Sequence, residues 1–228
     1  VNALGGVGKA MRGENKVFIK HLSTSKAEGV QPASKQNIKA AFEEFAKKAT
    51  PCDVLIVYFS GHGKNWAPPG QQDANFYYLT SEVSMETIKL EKERTEHAIS
   101  DIELEAWLNE SPTLKQVVFL DACNAGTAAE NIKIKGVRSR GGPNSSQLIA
   151  LTLLNDRTGS WILSGSKGDM KSWEAEKYGH GLLTYSLLKG MNGSALLDGR
   201  QVDVSKLFDY AIRAVPQFAA SMGKEQDP

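Results

Sequence analysis

Cysteine is scarce in this chain: Cys52 and Cys123 are the only two in 228 residues. Two thiols cannot build a disulfide framework, and such low usage fits a reducing compartment. An excess of one charge is also lacking. Lys and Arg number 27 against 26 Asp and Glu, a formal net charge of +1. Neither nucleic acid nor a membrane is therefore expected as the main partner. No apolar run approaches the roughly 20 residues of a membrane span, and the first residues carry no secretory pattern. The expected location is cytoplasmic. No internal repeat and no break in composition marks a second domain. What is present is a hydrophobic content of 41%, enough for one large α/β domain with a sizeable core. With no initiator Met and a start inside a helical pattern, the chain reads as a fragment of a longer protein.

Strand and helix patterns alternate along the sequence. Residues 3–12 read as a helix and 17–22 as a short strand. Ser34 opens a helix whose Ile38, Ala41, Phe42, Phe45 and Ala46 fall at helical spacing. An apolar strand at 54–59 precedes a Gly/Pro-rich loop and a short strand at 76–79. The charged stretch 81–96 reads as solvated. Ser100 and Glu103 have the spacing of a capping box and predict a helix through Trp107 and Leu108. A second apolar strand follows at 117–120, and residues 133–144 form a loop rich in Lys, Arg and Gly. A helix at 147–155, a strand at 161–164 and helices at 181–189 and 204–214 complete the pattern. Such alternation predicts a mostly parallel sheet with helices on both faces.

Two short motifs close the two apolar strands. Ser60-Gly61-His62-Gly63 follows the first, and Asp121-Ala122-Cys123-Asn124-Ala125-Gly126 ends the second. The carboxyl ends of parallel strands are where an open α/β sheet presents its ligands. A thiol at a strand-to-helix turn lies near backbone N–H groups and the positive end of the next helix, which favours thiolate. Gly126 leaves room for a substrate backbone to pass close by. His62 supplies a base, and Gly63 is free to offer its N–H to an oxyanion. A buried structural cysteine or a strand-capping histidine would account for either motif alone. Neither accounts for both at once, so the pair points to a cysteine peptidase. Cys52, beside Pro51 and without a polar constellation, reads as structural. A superficial P-loop at Gly5-Gly6-Val7-Gly8-Lys9-Ala10 is rejected: Ala3 and Ala10 break its pattern and no strand precedes it. His180 follows Cys123 in papain-like order but reads as structural, and His21 and His97 show no partners.

The two motifs resemble those of caspase-like cysteine peptidases, in which a His lies upstream of the Cys at about this distance. Residues 164–175, from Ser164 through Lys167, Asp169 and Ser172 to Ala175, are similar to a metacaspase segment. Residues 178–185 resemble the helix start of prokaryotic members. The likeness runs from about residue 3 to 218 and sharpens to the metacaspase and orthocaspase branch. It implies a caspase-like three-layer sandwich with a mostly parallel central sheet. Within a single peptidase domain it implies a large-subunit-like part to about 132, a basic linker at 133–146 and a small-subunit-like part at 147–228. The family's first strand, before a helix like 3–12, and its last strand, after one like 204–214, are not read here.

Caspases carry Gln two residues before the cysteine, in a pocket that accepts an acidic P1 side chain, the one preceding the scissile bond. Asp121 stands there in this chain. A buried carboxylate at a pocket base favours Arg or Lys at P1, since a bidentate guanidinium relieves an unpaired charge. The resemblance implies the same preference and makes Asp169 a second wall. An aspartate that only hydrogen-bonds turn amides is the structural alternative for Asp121. The linker lies where the family separates its two parts, so it reads either as a site of self-cleavage, after Lys133, Lys135, Arg138 or Arg140, or as a solvated basic loop that is never cut. Calcium, which many metacaspases need, is possible but not favoured: Asp101, Glu103 and Glu130 fall near such positions, yet Ile102 replaces an aspartate. No other metal or cofactor is expected. The expected partners are a protein or peptide substrate and a regulatory domain or protein. The expected pathway is prokaryotic defence or cell death, and the alternative function is a silent caspase-fold scaffold.

Overall fold

The computed structural model describes residues 4–6, 8–9, 13, 16–25, 27–68, 70, 74–134, 159–168, 170–175, 179–198 and 201–228. Its centre is a three-stranded parallel sheet in the order β1 (Val54–Gly61), β5 (Lys115–Ala122), β6 (Ser160–Ser164). Between β1 and β5 the chain forms an antiparallel sheet of β2 (Gly63–Trp66), β3 (Asn75–Tyr78) and β4 (Ile99–Ser100). Only His62 separates β1 from β2, so the chain turns out of the main sheet at that residue.

Alternation along β5 explains the layering. Val118 and Leu120 face one side, against Leu55 and Phe59 of β1 and the apolar stripes of α1 (Lys35–Lys48) and α3 (Asp101–Glu110). Val117 and Phe119 face the other side, under α5 (Leu182–Lys189) and α6 (Val204–Ala220). Each side chain buried in this way contributes about 1.5–3 kcal/mol of transfer free energy. A strand covered on both faces must be apolar throughout, which is why β5 reads as a continuous run. The result is an α/β sandwich.

Helix starts follow local chemistry. The Ser34 hydroxyl accepts the Asn37 N–H at the start of α1. Ser100 and Glu103 form the reciprocal capping box on α3. In α4 (Ala125–Asn131), the cap is Asn124 in a left-handed conformation, φ 61°, which Asn tolerates better than most residues.

Four expectations change. Residues 17–22 do not form a strand beyond a single bridge between Leu22 and Gln31, and Phe18 and Ile19 remain half exposed. The charged stretch 81–96 is not simply solvated. It includes α2 (Glu91–His97), and Val83, Ile88 and Ala98 bury with Leu79 in a core of their own. Those apolar residues are too sparse among charges to show a period. His97 in α2 also has partners, with Glu82, Glu93 and Glu96 at 3.8–4.0 Å. Finally, α6 continues past Ala214 and through Pro216 to Ala220. Burial of Val215 and Ala219 in the second core outweighs the hydrogen bond that proline removes. The helix expected at 147–155 lies outside the described residues. Among the described residues no helix is long and apolar enough to cross a membrane.

Candidate active site

The carboxyl ends of β1 and β5 lie side by side, with Ser60 in register with Asp121 and Gly61 with Ala122. His62 leaves β1 and Cys123 leaves β5 at the same edge. A cavity of about 220 Å³ opens there, lined by Ser60, Gly61, His62, Asp121, Cys123, Ser172, Glu174 and Gly181. His62 is exposed on its rim, and Cys123 is partly buried. Both residues singled out by their flanking glycines therefore share one concave site.

Gly63 packs against the Cys-bearing turn so closely that a Cβ would lie 2.4 Å from the Cys123 carbonyl oxygen. Any side chain there would push the two turns apart. The Leu79 N–H donates to the His62 carbonyl at 2.9 Å. By the alternation of an antiparallel ladder, the next pair, Gly63 with Tyr78, exchanges no backbone hydrogen bonds. The Gly63 amide is thus not consumed by β3. Gly126 also requires a close approach, but its neighbour differs from the expectation. A Cβ there would meet Gly168 N at 2.3 Å and Lys167 C at 2.6 Å. The backbone that passes close by belongs to the chain's own loop after β6.

The described residues of that loop, 165–168 and 170–173, adjoin the site, and Ser172 lines the cavity. Asn124 holds the loop through its N–H to the Met170 carbonyl (3.1 Å) and its Nδ2 to the Gly168 carbonyl (3.3 Å). Ser172 reaches the sulfur: its N–H points at Cys123 Sγ at 3.3 Å, and the thiol donates to the Ser172 carbonyl at 3.5 Å. Asp169 lies outside the described residues.

Asp121 is 5% exposed and its carboxylate accepts three donors. Oδ1 takes the Ser172 hydroxyl at 3.0 Å; Oδ2 takes the Thr184 N–H at 3.1 Å and the Thr184 hydroxyl. Tyr58 OH and Thr184 Oγ1 lie 2.5 Å apart, extending the chain of hydroxyls. Burial pushes the Asp121 carboxyl above the usual carboxylate range. The Thr184 and Ser172 hydrogen bonds oppose that rise, and Glu174 adds to it. No Lys or Arg stands among the described residues of the cavity wall. The aspartate is tied to two hydroxyls and one helix-start amide rather than to turn amides, and it lines the cavity. Ser172, Thr184 and Glu174 were missed by sequence reading. Glu174 falls within the metacaspase-like segment, and that position was its only signal.

Other expected residues fall elsewhere. The Lys133 N–H donates to Glu105 (2.8 Å), its carbonyl accepts from Asn109 Nδ2 (3.0 Å), and the following Ile134 is buried. Lys135, Arg138 and Arg140 lie outside the described residues. The carboxylates weighed for calcium have other roles. Asp101 accepts from the Phe76 and Ile102 N–H groups and from Asn131 Nδ2; Glu103 caps α3 and pairs with Lys35 at 2.7 Å. Glu130 is exposed. Cys52 is a free, exposed thiol.

A family model described as caspase domain matches residues 16–228. No curated protein matches the chain. Among solved structures, the chain is similar to protein GSU0716 from Geobacter sulfurreducens, at 18% identity and a TM-score of 0.49. That match covers 79% of this chain and 69% of the other.

Proposed function

The chain belongs to the caspase-domain family, and on that premise we propose that it is a cysteine endopeptidase cleaving after Arg or Lys with a His62/Cys123 dyad. One observation carries the reading: a single cavity is lined by His62, Cys123 and the two acidic residues Asp121 and Glu174. A thiol and an imidazole at one rim suit nucleophilic attack with general acid–base help. A carboxylate buried without a cation is an unfavourable arrangement that a substrate guanidinium or ammonium relieves.

In the proposed reaction His62 takes the Cys123 proton and the sulfur attacks the scissile carbonyl carbon. The Ser172 N–H faces that sulfur in the resting site. As the C–S bond forms, the carbonyl oxygen becomes an oxyanion held by the Gly63 and Cys123 N–H groups. The C–N bond then breaks, and the amine leaves with the proton from His62. Water, deprotonated by His62, hydrolyses the thioester and restores the thiol.

Self-cleavage belongs to the same proposal. Lys133 is a poor site for it because its backbone is held on both sides and Ile134 is buried, whereas proteases favour exposed, loosely held segments. Cleavage after Lys135, Arg138 or Arg140 is the expectation. The regulated pathway, prokaryotic defence or cell death with a controlling domain or partner, rests on analogy between family members.

Fluorogenic peptides with Arg at P1 test the dyad. Cys123→Ala should abolish cleavage and leave the melting temperature unchanged. His62→Ala should lower the rate by about 10²–10⁴-fold. Retained turnover in Cys123→Ala would remove the thiol from the mechanism, and absence of cleavage by the unaltered protein would favour the scaffold reading.

A further inference from the structure

Next to the cavity-lining Ser172, one side chain ties the loop together. After α6 the chain folds back, and residues 224–227 lie along the loop at 165–173. Gln226 is 1% exposed. Its Nε2 donates to the Gly165 carbonyl at 2.6 Å and to Ser172 Oγ at 3.3 Å, and its Oε1 accepts the Trp173 N–H at 2.7 Å. The amide thus uses both donors and its acceptor, a combination that neither Glu nor Leu could reproduce. Flanking contacts hold the segment in place. The Asp227 carbonyl accepts the Lys167 N–H (2.7 Å), the Glu225 carbonyl accepts Trp173 Nε1 (3.1 Å), and Lys224 Nζ sits 4.3 Å from the Trp173 ring centroid.

The direction of these hydrogen bonds matters. Because Gln226 donates to Ser172 Oγ, the Ser172 hydroxyl proton is left to point at Asp121 Oδ1, 3.0 Å away. The same serine presents its N–H and its carbonyl to Cys123 Sγ. One residue therefore stands between Gln226 and both groups of the proposed chemistry.

We propose that Gln226 is a positioning residue for the Asp121 pocket: through Ser172 it orients the carboxylate and fixes the loop beside Cys123. This inference rests on the basic-P1 reading of the site. Gln226 touches no substrate and acts only through its neighbours. Losing its amide frees the Ser172 hydroxyl to rotate and loosens the Trp173 backbone. The carboxylate then loses one of its three donors, and the loop its register on the sulfur.

The test uses the complete chain with Gln226→Ala, Gln226→Glu, Ser172→Ala and the double variant Ser172→Ala/Gln226→Ala. Gln226→Glu keeps the volume but sets an acceptor against the Gly165 carbonyl and draws the Ser172 proton away from Asp121. With Arg-P1 peptides, both Gln226 variants should lose about 10-fold or more in kcat/KM, chiefly through KM. The double variant should be no worse than the worse of its single parents, because the two residues act in series. Hydrogen–deuterium exchange at 165–173, which needs no substrate, should quicken in both Gln226 variants. Unchanged KM with slow exchange would overturn the inference and leave the basic-P1 reading standing. Additive losses in the double variant would overturn the route through Ser172. If the unaltered protein cleaves no peptide, the basic-P1 reading fails, and exchange alone decides whether Gln226 holds the loop: faster exchange supports that part, unchanged exchange overturns it.

Discussion

Arg94 and Asp121 are both buried charges without an oppositely charged neighbour in the described structure, at 9% and 5% exposure, yet their surroundings differ. The Arg94 guanidinium stacks 4.4 Å from the Trp66 ring centroid and 5.6 Å from that of Tyr77, and donates to the Ile88 and Lys89 carbonyls. Rings and carbonyls of its own neighbourhood close around it, and it joins the 81–98 segment to β2 and β3. Asp121 has hydroxyl and amide donors behind it and a cavity in front. A charge that only supports a fold is satisfied by the fold. Asp121 instead lines a cavity, and its burial raises its pKa.

Substituting the open charge should give the largest effect. Asp121→Asn keeps the shape and removes the anion. Cleavage after Arg or Lys should fall by the equivalent of about 2–5 kcal/mol of charge pairing, read as kcat/KM on Arg-P1 peptides. The matching change at the closed charge, Arg94→Met, should leave kcat/KM unchanged. It should destabilise the fold by about 1–3 kcal/mol through lost cation–π and carbonyl contacts, measured by denaturant unfolding. Lost activity in a folded Arg94→Met protein would erase the contrast.

The raised pKa of Asp121 adds a pH signature. A carboxyl whose folded pKa lies above its unfolded value is protonated first in the folded state, so its favourable contribution is full below the unfolded pKa. It is lost as pH rises through the folded pKa. The unaltered protein should therefore gain stability relative to Asp121→Asn as pH falls through that window. Over the same window kcat/KM on Arg-P1 peptides should decline, because the anion that attracts the substrate is being neutralised. The acid limb should lie above the ordinary carboxylate range. Glu174 is exposed at the rim and better solvated, so Glu174→Gln should have the smallest effect, a few-fold rise in KM for basic P1.

The comparison also separates what the sequence could reveal from what it could not. His62 and Cys123 stand out because glycines and apolar strands mark their turns locally, and the burial of β5 on both faces is written in its continuous apolar run, whereas the equally apolar β1 leaves Val54 and Ile56 exposed. Asp121 was marked by its distance from the cysteine. Its donors Ser172 and Thr184 are not local, nor is Gln226 behind Ser172: they come from a loop, a helix start and the segment after α6, and only folding brings them together. Arg94 was lost in a charged stretch for the same reason, since the rings that cover it come from β2 and β3.

The central claim, that the open carboxylate takes a cationic side chain beside the Cys123 thiol, is tested most directly by peptides differing only at P1. The unaltered protein should cleave Arg-P1 and Lys-P1 peptides at least about 30-fold faster than Asp-P1 or Leu-P1 peptides, the low end of the charge-pairing magnitude above. A Cys123→Ala control should cleave none. Equal cleavage of Asp-P1 and Arg-P1 peptides, or a preference for Asp, would contradict it.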